Sequence, residues 1–320
     1  MKVSNHLRRL ASQLFDDAAE QEAFISALVS PQEYDRAVLW VRPRPAETPY
    51  SRKPPFDWQP DFVDRAPAEE RPGQDPLHDA GAYYCLDFSS VFAAQTLSAV
   101  SSRPAQVVDV CAAPGGKAIF AWRALQPDLL IANEVIGKRT GVLIANLQRC
   151  GVGPACVISR DSSHLAAVWP RAADVVLVDA PCSGQSLLAR GKESPGCFHP
   201  ATMNMNSNRQ KRILANAAAV VAPGGYLAYM TCTYAQKENE DVLRWFLKRF
   251  PQFRPQSVPV LKGRESRFAD FPCYRLWPHQ GEGAGAFTSL LRNEDEQPPG
   301  EIDLNQVKVL WSSDSANASC

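Results

Sequence analysis

From Val107 onward, short apolar runs alternate with longer stretches whose apolar positions recur at helical spacing. The runs at 107–109, 129–133, 155–159, 174–178 and 226–231 are largely apolar without alternation, as expected of strands buried on both faces. Between them, 116–125, 138–150 and 208–221 read as helices, the second with Val142, Leu143 and Leu147 on one face. Pro223, Gly224 and Gly225 end the third helix and turn the chain. A further helix, 238–250, opens on Glu238, Glu240 and Asp241, which suit the positive end of its dipole. Short strand candidates follow at 273–277, 287–291 and 307–311. This alternation predicts an α/β fold, a mainly parallel, doubly wound sheet covered on both faces.

The first 80 residues break the pattern. Leu7, Leu10, Leu14 and Phe15, then Phe24, Ile25 and Leu28, recur at helical spacing and predict helix over 1–40. Prolines at 43, 45, 49, 54, 55, 60, 67, 72 and 76 then predict an extended connector. Within it, Arg42, Arg44, Arg52 and Lys53 interleave with Tyr50, Phe56 and Trp58. That mixture suits stacking on RNA, or an arm whose aromatics pack on the protein's own core, which is the more ordinary outcome. The expected division is an N-terminal helical and Pro-rich extension, 1–80, and one larger domain, 81–320.

Composition narrows the class. Lys+Arg 34 balances Asp+Glu 34, which argues against a protein that coats nucleic acid nonspecifically and leaves room for a local basic face. No basic-then-apolar leader and no long apolar run is present, so a cytoplasmic protein is expected. Nine cysteines, an odd number without any C-x-x-C pair, predict reduced thiols, no metal site and no disulfide framework.

Candidate chemistry gathers where the predicted strands end, the edge at which open α/β sheets bind ligands. The first strand runs into Asp109-Val-Cys-Ala-Ala-Pro-Gly-Gly-Lys117. Gly115 and Gly116 free backbone N–H groups at a helix start for an anionic group. The string is neither G-x-G-x-x-G nor a Walker A loop, so nucleotide triphosphate hydrolysis is poorly supported and a nicotinamide-dependent oxidoreductase lacks its dinucleotide signature. Glu134, Asp161 and Asp179 close the next three strands. Cys182 follows one strand in D-A-P-C-S-G and Cys232 follows another in T-C-T. Two thiols at one sheet edge point to covalent chemistry.

These strings together resemble the Fmu/Sun/nucleolar-protein family of S-adenosylmethionine-dependent RNA cytosine-5 methyltransferases. The matching segments are C-A-A-P-G-G-K (111–117), A-N-E with Arg139 downstream, N-L-Q-R-C-G (146–151), D-A-P-C-S-G (179–184) and T-C-T followed by E-N-E (238–240). R-L-W-P-H (275–279) and G-A-F (285–287) complete the set. The resemblance implies a Rossmann-like class I methyltransferase fold, S-adenosylmethionine as cofactor and RNA as partner, ribosomal rather than transfer RNA. It implies cofactor contacts from Cys111, Ala112, Ala113, Pro114, Gly115, Gly116 and Lys117, with Glu134 on the ribose, Asp161 on the adenine and Arg139 on the cofactor side. Asp179 would border the cofactor and face the cytosine. Cys232 would be the nucleophile and Cys182 the cysteine that assists product release. The chemistry alone leaves those two exchangeable, since DNA cytosine-5 enzymes use the cysteine of a P-C motif; the T-C-T…E-N-E context favours Cys232. A catalytically silent RNA-binding or ribosome-assembly factor is the alternative, and loss of one thiol would mark it; both are present. Thr233 replaces a commoner serine, and no basic R-x-x-P segment follows D-A-P-C-S-G. Arg190, Lys192 and the helix start at Arg209, Lys211 and Arg212 are the candidate phosphate contacts.

Overall fold

The first strands form where the N-terminal pattern predicts none. The structure, a computed structural model, describes residues 3–313; Cys320, one of the nine cysteines expected as reduced thiols, lies outside them. Helices Asn5–Leu14 and Ala18–Val29 are capped by Ser4 and Asp17, whose side chains accept from the Leu7 and Glu20 N–H groups. The helical pattern stops there, because β1 (Arg36–Trp40) is an A-V-L-W run better suited to a pleated, buried surface. β2 (Val63–Ala66) occupies the proline-free gap between Pro60 and Pro67. β3 (Tyr83–Asp87) completes a three-stranded antiparallel sheet in the order β2-β1-β3, which spans residue 80.

The Pro-rich arm packs its aromatics inward. Tyr50 and Trp58 are buried, and Phe56 stacks on Trp58. Trp40 Nε1 and the Tyr50 hydroxyl both donate to Asp64, which also pairs with Arg44. Lys53 pairs with Asp35 at 2.7 Å. These rings, and the Arg44 and Lys53 charges, are thus occupied by the protein itself.

The apolar runs beyond residue 100 form the main sheet. β4 (Gln106–Asp109), β5 (Leu129–Asn133), β6 (Ala155–Ile158), β7 (Ala173–Asp179) and β8 (Val221–Thr231) are mutually parallel in the order β6-β5-β4-β7-β8. Four antiparallel strands extend it: β9 (Phe253–Pro255), β10 (Tyr274–Leu276), β11 (Ala286–Asn293) and β12 (Val309–Ser312). Two apolar clusters cover its faces, one containing Val107, Leu130 and Leu177, the other Val108, Ile131 and Val176. Alternate residues of one strand facing opposite clusters explains why these runs are apolar throughout.

Two departures have local causes. Pro223-Gly224-Gly225 lies inside β8 rather than before it, where the register jumps from Ala173↔Val221 to Val175↔Tyr226. A Cβ on Gly225 would lie 2.8 Å from the Asp174 carbonyl oxygen, so only glycine permits this approach. The helix expected at 208–221 starts at Pro200, with the His199 ring accepting from the Ala201 N–H at its start. Its added turns, P-A-T-M-N-M-N-S, carry little apolar periodicity. Between β11 and the N-terminal helices, Phe15, Phe24, Tyr234 and Trp277 form an aromatic cluster. It seats those helices beside the segment that follows Cys182.

Candidate active site

The chain leaves β4 toward β5 and β6 on one side, and reaches β7 and β8 on the other. The switch point therefore lies between β4 and β7, where a crevice opens outside the strand ends. Asp109 pairs with Leu177 and Asp179 with Met230, so the ends of β4, β7 and β8 are staggered by only a few residues. That register brings the turn after β7 against the turn after β8. Cys182 Sγ and Cys232 Sγ are 3.2 Å apart.

The two thiols are not equivalent. A hydrogen bond from Cys182 holds the Cys232 pKa below the ordinary thiol value, against the effect of burial, with Lys117 also contributing. The same bond, with burial, pushes Cys182 well up. Of the two sulfurs, these shifts favour the anion on Cys232 and the proton on Cys182. Burial pushes the remaining described cysteines up, Cys85 and Cys197 to about 11, Cys156 and Cys273 to about 12, and Cys111 and Cys150 likewise upward. Such thiols are poor nucleophiles at neutral pH.

Lys117 was expected on the cofactor, yet its Nζ donates to Asp179 Oδ2 at 2.7 Å. Burial opposes its charge, but Asp179, together with Asp87 and Cys232, outweighs burial and raises the ammonium pKa. The side chain thus reaches from the glycine turn to the cysteine side of the crevice.

Most of the remaining expected cofactor residues follow β4 and β5, with Asp161 beyond β6. Gly115 has φ +116, a left-handed value that favours glycine, and opens the helix Gly116–Leu125. A Cβ on Gly116 would lie 2.4 Å from Leu86 Cδ2 and 3.2 Å from a Tyr84 ring carbon, so those side chains would have to move to admit one. Glu134 is buried, with Oε1 accepting the Ile136 N–H at 2.8 Å and Oε2 3.2 Å from Arg139. Arg139 also donates to the Ala113 carbonyl, so it braces Glu134 against the turn holding Cys111, Ala112, Ala113 and Pro114. Asp161 Oδ1 caps the helix Ser162–Val168, accepting from the Ser163 N–H and hydroxyl.

Three features escaped the sequence reading. Val135 and Ile136, 58% and 51% exposed, offer an apolar surface directly after Glu134. Asn133 ties the end of β5 to Val110 and Arg160 on either side. Asp109, visible as a strand-end acid but given no role, is fully buried; Oδ1 accepts the Cys111 N–H at 3.1 Å and Oδ2 has no partner. Burial, then the Asp179 charge, pushes its carboxyl up to about 7, against the pull of the Cys111 N–H and Lys117.

A pH dependence follows. The folded protein holds the Asp109 proton more tightly than the unfolded chain, so this stabilisation is complete below the ordinary value of 3.8 and is lost as pH rises to about 7. Urea unfolding of the ligand-free protein should show stability falling over that window relative to Asp109→Asn, by about 1.4 kcal/mol for each pH unit crossed. Parallel pH profiles for the two proteins would contradict this.

Behind the cysteines, E-N-E supports both turns. Glu240 and Arg275 form a buried, two-pronged pair at 2.6 Å, and Arg275 Nη1 donates to the Tyr234 carbonyl. This joins E-N-E to R-L-W-P-H and to the residue after T-C-T. Arg275→Met leaves the Glu240 charge buried and unpaired, with an expected cost of about 3–5 kcal/mol in denaturant unfolding. A loss below about 1 kcal/mol, the ordinary worth of an exposed pair, would contradict it.

The family model described as 16S rRNA methyltransferase RsmB/F matches residues 96–292. Ribosomal RNA small subunit methyltransferase F of Cronobacter sakazakii is 30% identical over 255 residues, covering 77% of this chain and 52% of the relative. Its counterpart from Klebsiella pneumoniae is 34% identical over 191 residues, covering 57% and 40%. The chain spans about half the length of the curated relatives it matches. NSun6 from Pyrococcus horikoshii, determined with SFG, superposes with a TM-score of 0.71 at 18% identity, covering 92% of this chain and 99% of that one. A methyltransferase homolog from the same organism gives 0.68 at 21%, covering 91% and 100%. At these identities the likeness is one of fold, that of class I methyltransferases.

Proposed function

Because the chain belongs to the 16S rRNA methyltransferase RsmB/F family, we propose that it transfers a methyl group from S-adenosylmethionine to carbon 5 of a cytosine in small-subunit ribosomal RNA. The observation that carries this reading is the Cys182–Cys232 pair beside Lys117–Asp179 at the switch point of the sheet. A cytoplasmic location accords with a ribosomal RNA substrate, and among the described residues no helix is long and apolar enough to cross a membrane.

The donor set suits the cofactor. S-adenosylmethionine carries an ammonium, a sulfonium and ribose hydroxyls. Asp109 offers a buried acceptor oxygen without a donor, and Glu134 a buried carboxylate with lone pairs to spare. Val135 and Ile136 offer an apolar face for adenine. When bound, the cofactor supplies an electrophilic methyl group.

The chain's own residues prepare the acceptor. The Cys232 thiolate adds to carbon 6 of cytosine, which turns carbon 5 from a poor nucleophile into an enamine carbon. Lys117 Nζ is the proton-bearing atom facing that addition, and Asp179 accepts from the exocyclic amino group of the base. After methyl transfer the carbon 5 proton passes to water, the carbon 5–carbon 6 double bond re-forms and the Cys232 Sγ–carbon 6 bond breaks. Cys182, protonated and within reach of Cys232 Sγ, assists that release by donating to the departing sulfur. The target base leaves its stack to enter the crevice.

The test is in vitro methylation of unmodified 16S ribosomal RNA with methyl-labelled S-adenosylmethionine, followed by nucleoside mass spectrometry. The expected product is labelled 5-methylcytidine. No transfer, or label on another nucleoside, would sink the reading. Calorimetry should show binding of S-adenosylmethionine and not of NAD.

A further inference from the structure

The E-N-E motif brackets each cysteine in turn. Glu238 is fully buried; its Oε2 accepts the Ser183 N–H at 2.8 Å and Gln210 Nε2 at 3.0 Å, and its Oε1 accepts the Ser183 hydroxyl at 2.5 Å. The same Gln210 amide donates to the Pro181 carbonyl. The backbone on both sides of Cys182 is therefore tied to one carboxylate. Asn239 does the same for Cys232, with Nδ2 donating to the Thr233 carbonyl and Oδ1 accepting from the Thr231 hydroxyl. The Ser183 and Thr233 hydroxyls, 2.8 Å apart, join the two turns.

We propose that Glu238 and Asn239 are positioning residues that set the register of the two thiols, so that Cys182 faces Cys232 at bonding distance. The inference rests on the methyl-transfer reading for its catalytic consequence, but not for its geometry. None of the groups hydrogen-bonded to the Glu238 carboxylate is a cation. A carboxylate kept there without a counter-ion acts through the alignment of its acceptors. Its charge also reaches Cys182 and reinforces the protonated state of that thiol.

The chemistry of the partners supplies a discriminating pair of variants. In Glu238→Gln the amide oxygen can take both N–H donors, while the amide nitrogen donates to the Ser183 hydroxyl, whose proton turns to Thr233. Every bond of the network survives without the charge. Glu238→Ala removes them all. The expected result is a kcat about 100-fold lower for Glu238→Ala, with KM for RNA and cofactor nearly unchanged, and recovery of most of that loss in Glu238→Gln. Ser183→Ala, which keeps the N–H bond and loses the bridge to Thr233, should fall between them and serves if Glu238→Ala does not fold.

Thiol reactivity reads the geometry without any RNA. Iodoacetamide, followed by peptide mapping, should modify Cys232 in preference to Cys182 in the wild type. That preference should fall at least about fivefold in Glu238→Ala and in Asn239→Ala. Unchanged preference in both would overturn the proposal, as would a Glu238→Gln variant as slow as Glu238→Ala. If the wild type methylates no RNA, the proposed function fails while the alkylation result still decides the positioning role.

Discussion

Cys232→Ala should eliminate methyl transfer and leave no covalent protein–RNA adduct, because carbon 5 is activated only when a thiolate occupies carbon 6. Cys182→Ala should behave in the opposite way. Addition precedes the step that Cys182 assists, so this variant accumulates on its RNA as a nuclease-sensitive shifted band in a denaturing gel. It should also add more slowly, since the bond from Cys182 is the largest influence lowering the Cys232 pKa. Expression of each variant with its native RNA makes the comparison. A band with Cys232→Ala and none with Cys182→Ala would exchange the two roles. Full activity in both would remove covalent catalysis altogether.

Lys117→Met should lower kcat by about 10²–10³ while changing S-adenosylmethionine affinity little. Methionine preserves most of the length and apolar contact of the side chain and removes only the charged end. The Asp179 carboxylate then loses its partner at 2.7 Å, and its charge works unopposed against the neighbouring Cys232 thiolate. Asp179→Asn removes the same interaction from the other side, so the double variant should be no worse than the poorer single one. Calorimetry and single-turnover methylation separate the two outcomes. Loss of cofactor binding with an unaffected methyl-transfer step would return Lys117 to the cofactor side, where its place in the C-A-A-P-G-G-K string put it.

Lys117 illustrates how far the sequence reaches. The strand ends and their acids are legible because buried parallel strands are apolar throughout and the chain turns polar where they stop. The helix Gly116–Leu125 and the strand Leu129–Asn133 fall where the pattern predicts them. A motif does not disclose where a long side chain points. Lys117 crosses to Asp179, and Arg139 turns back onto the Ala113 carbonyl, because the partners come from elements remote in sequence. The same limit hid the small sheet. β1, β2 and β3 are short, lie among prolines and helices, and gain stability only from pairing with each other and packing on the main core. The E-N-E motif was legible as a string but not as a support, since its bonds run to Ser183, Gln210 and Arg275.

Methylation of ribosomal RNA at cytosine carbon 5 through Cys232 is open to a direct test, bisulfite sequencing of total RNA from cells lacking the gene. Those cells are complemented with the wild type or with Cys232→Ala. The proposed mechanism predicts a cytosine in small-subunit ribosomal RNA that resists conversion with the wild type and converts fully in the deletion and in the Cys232→Ala strain. An identical conversion pattern in all three strains, or protection restored by Cys232→Ala, would contradict it.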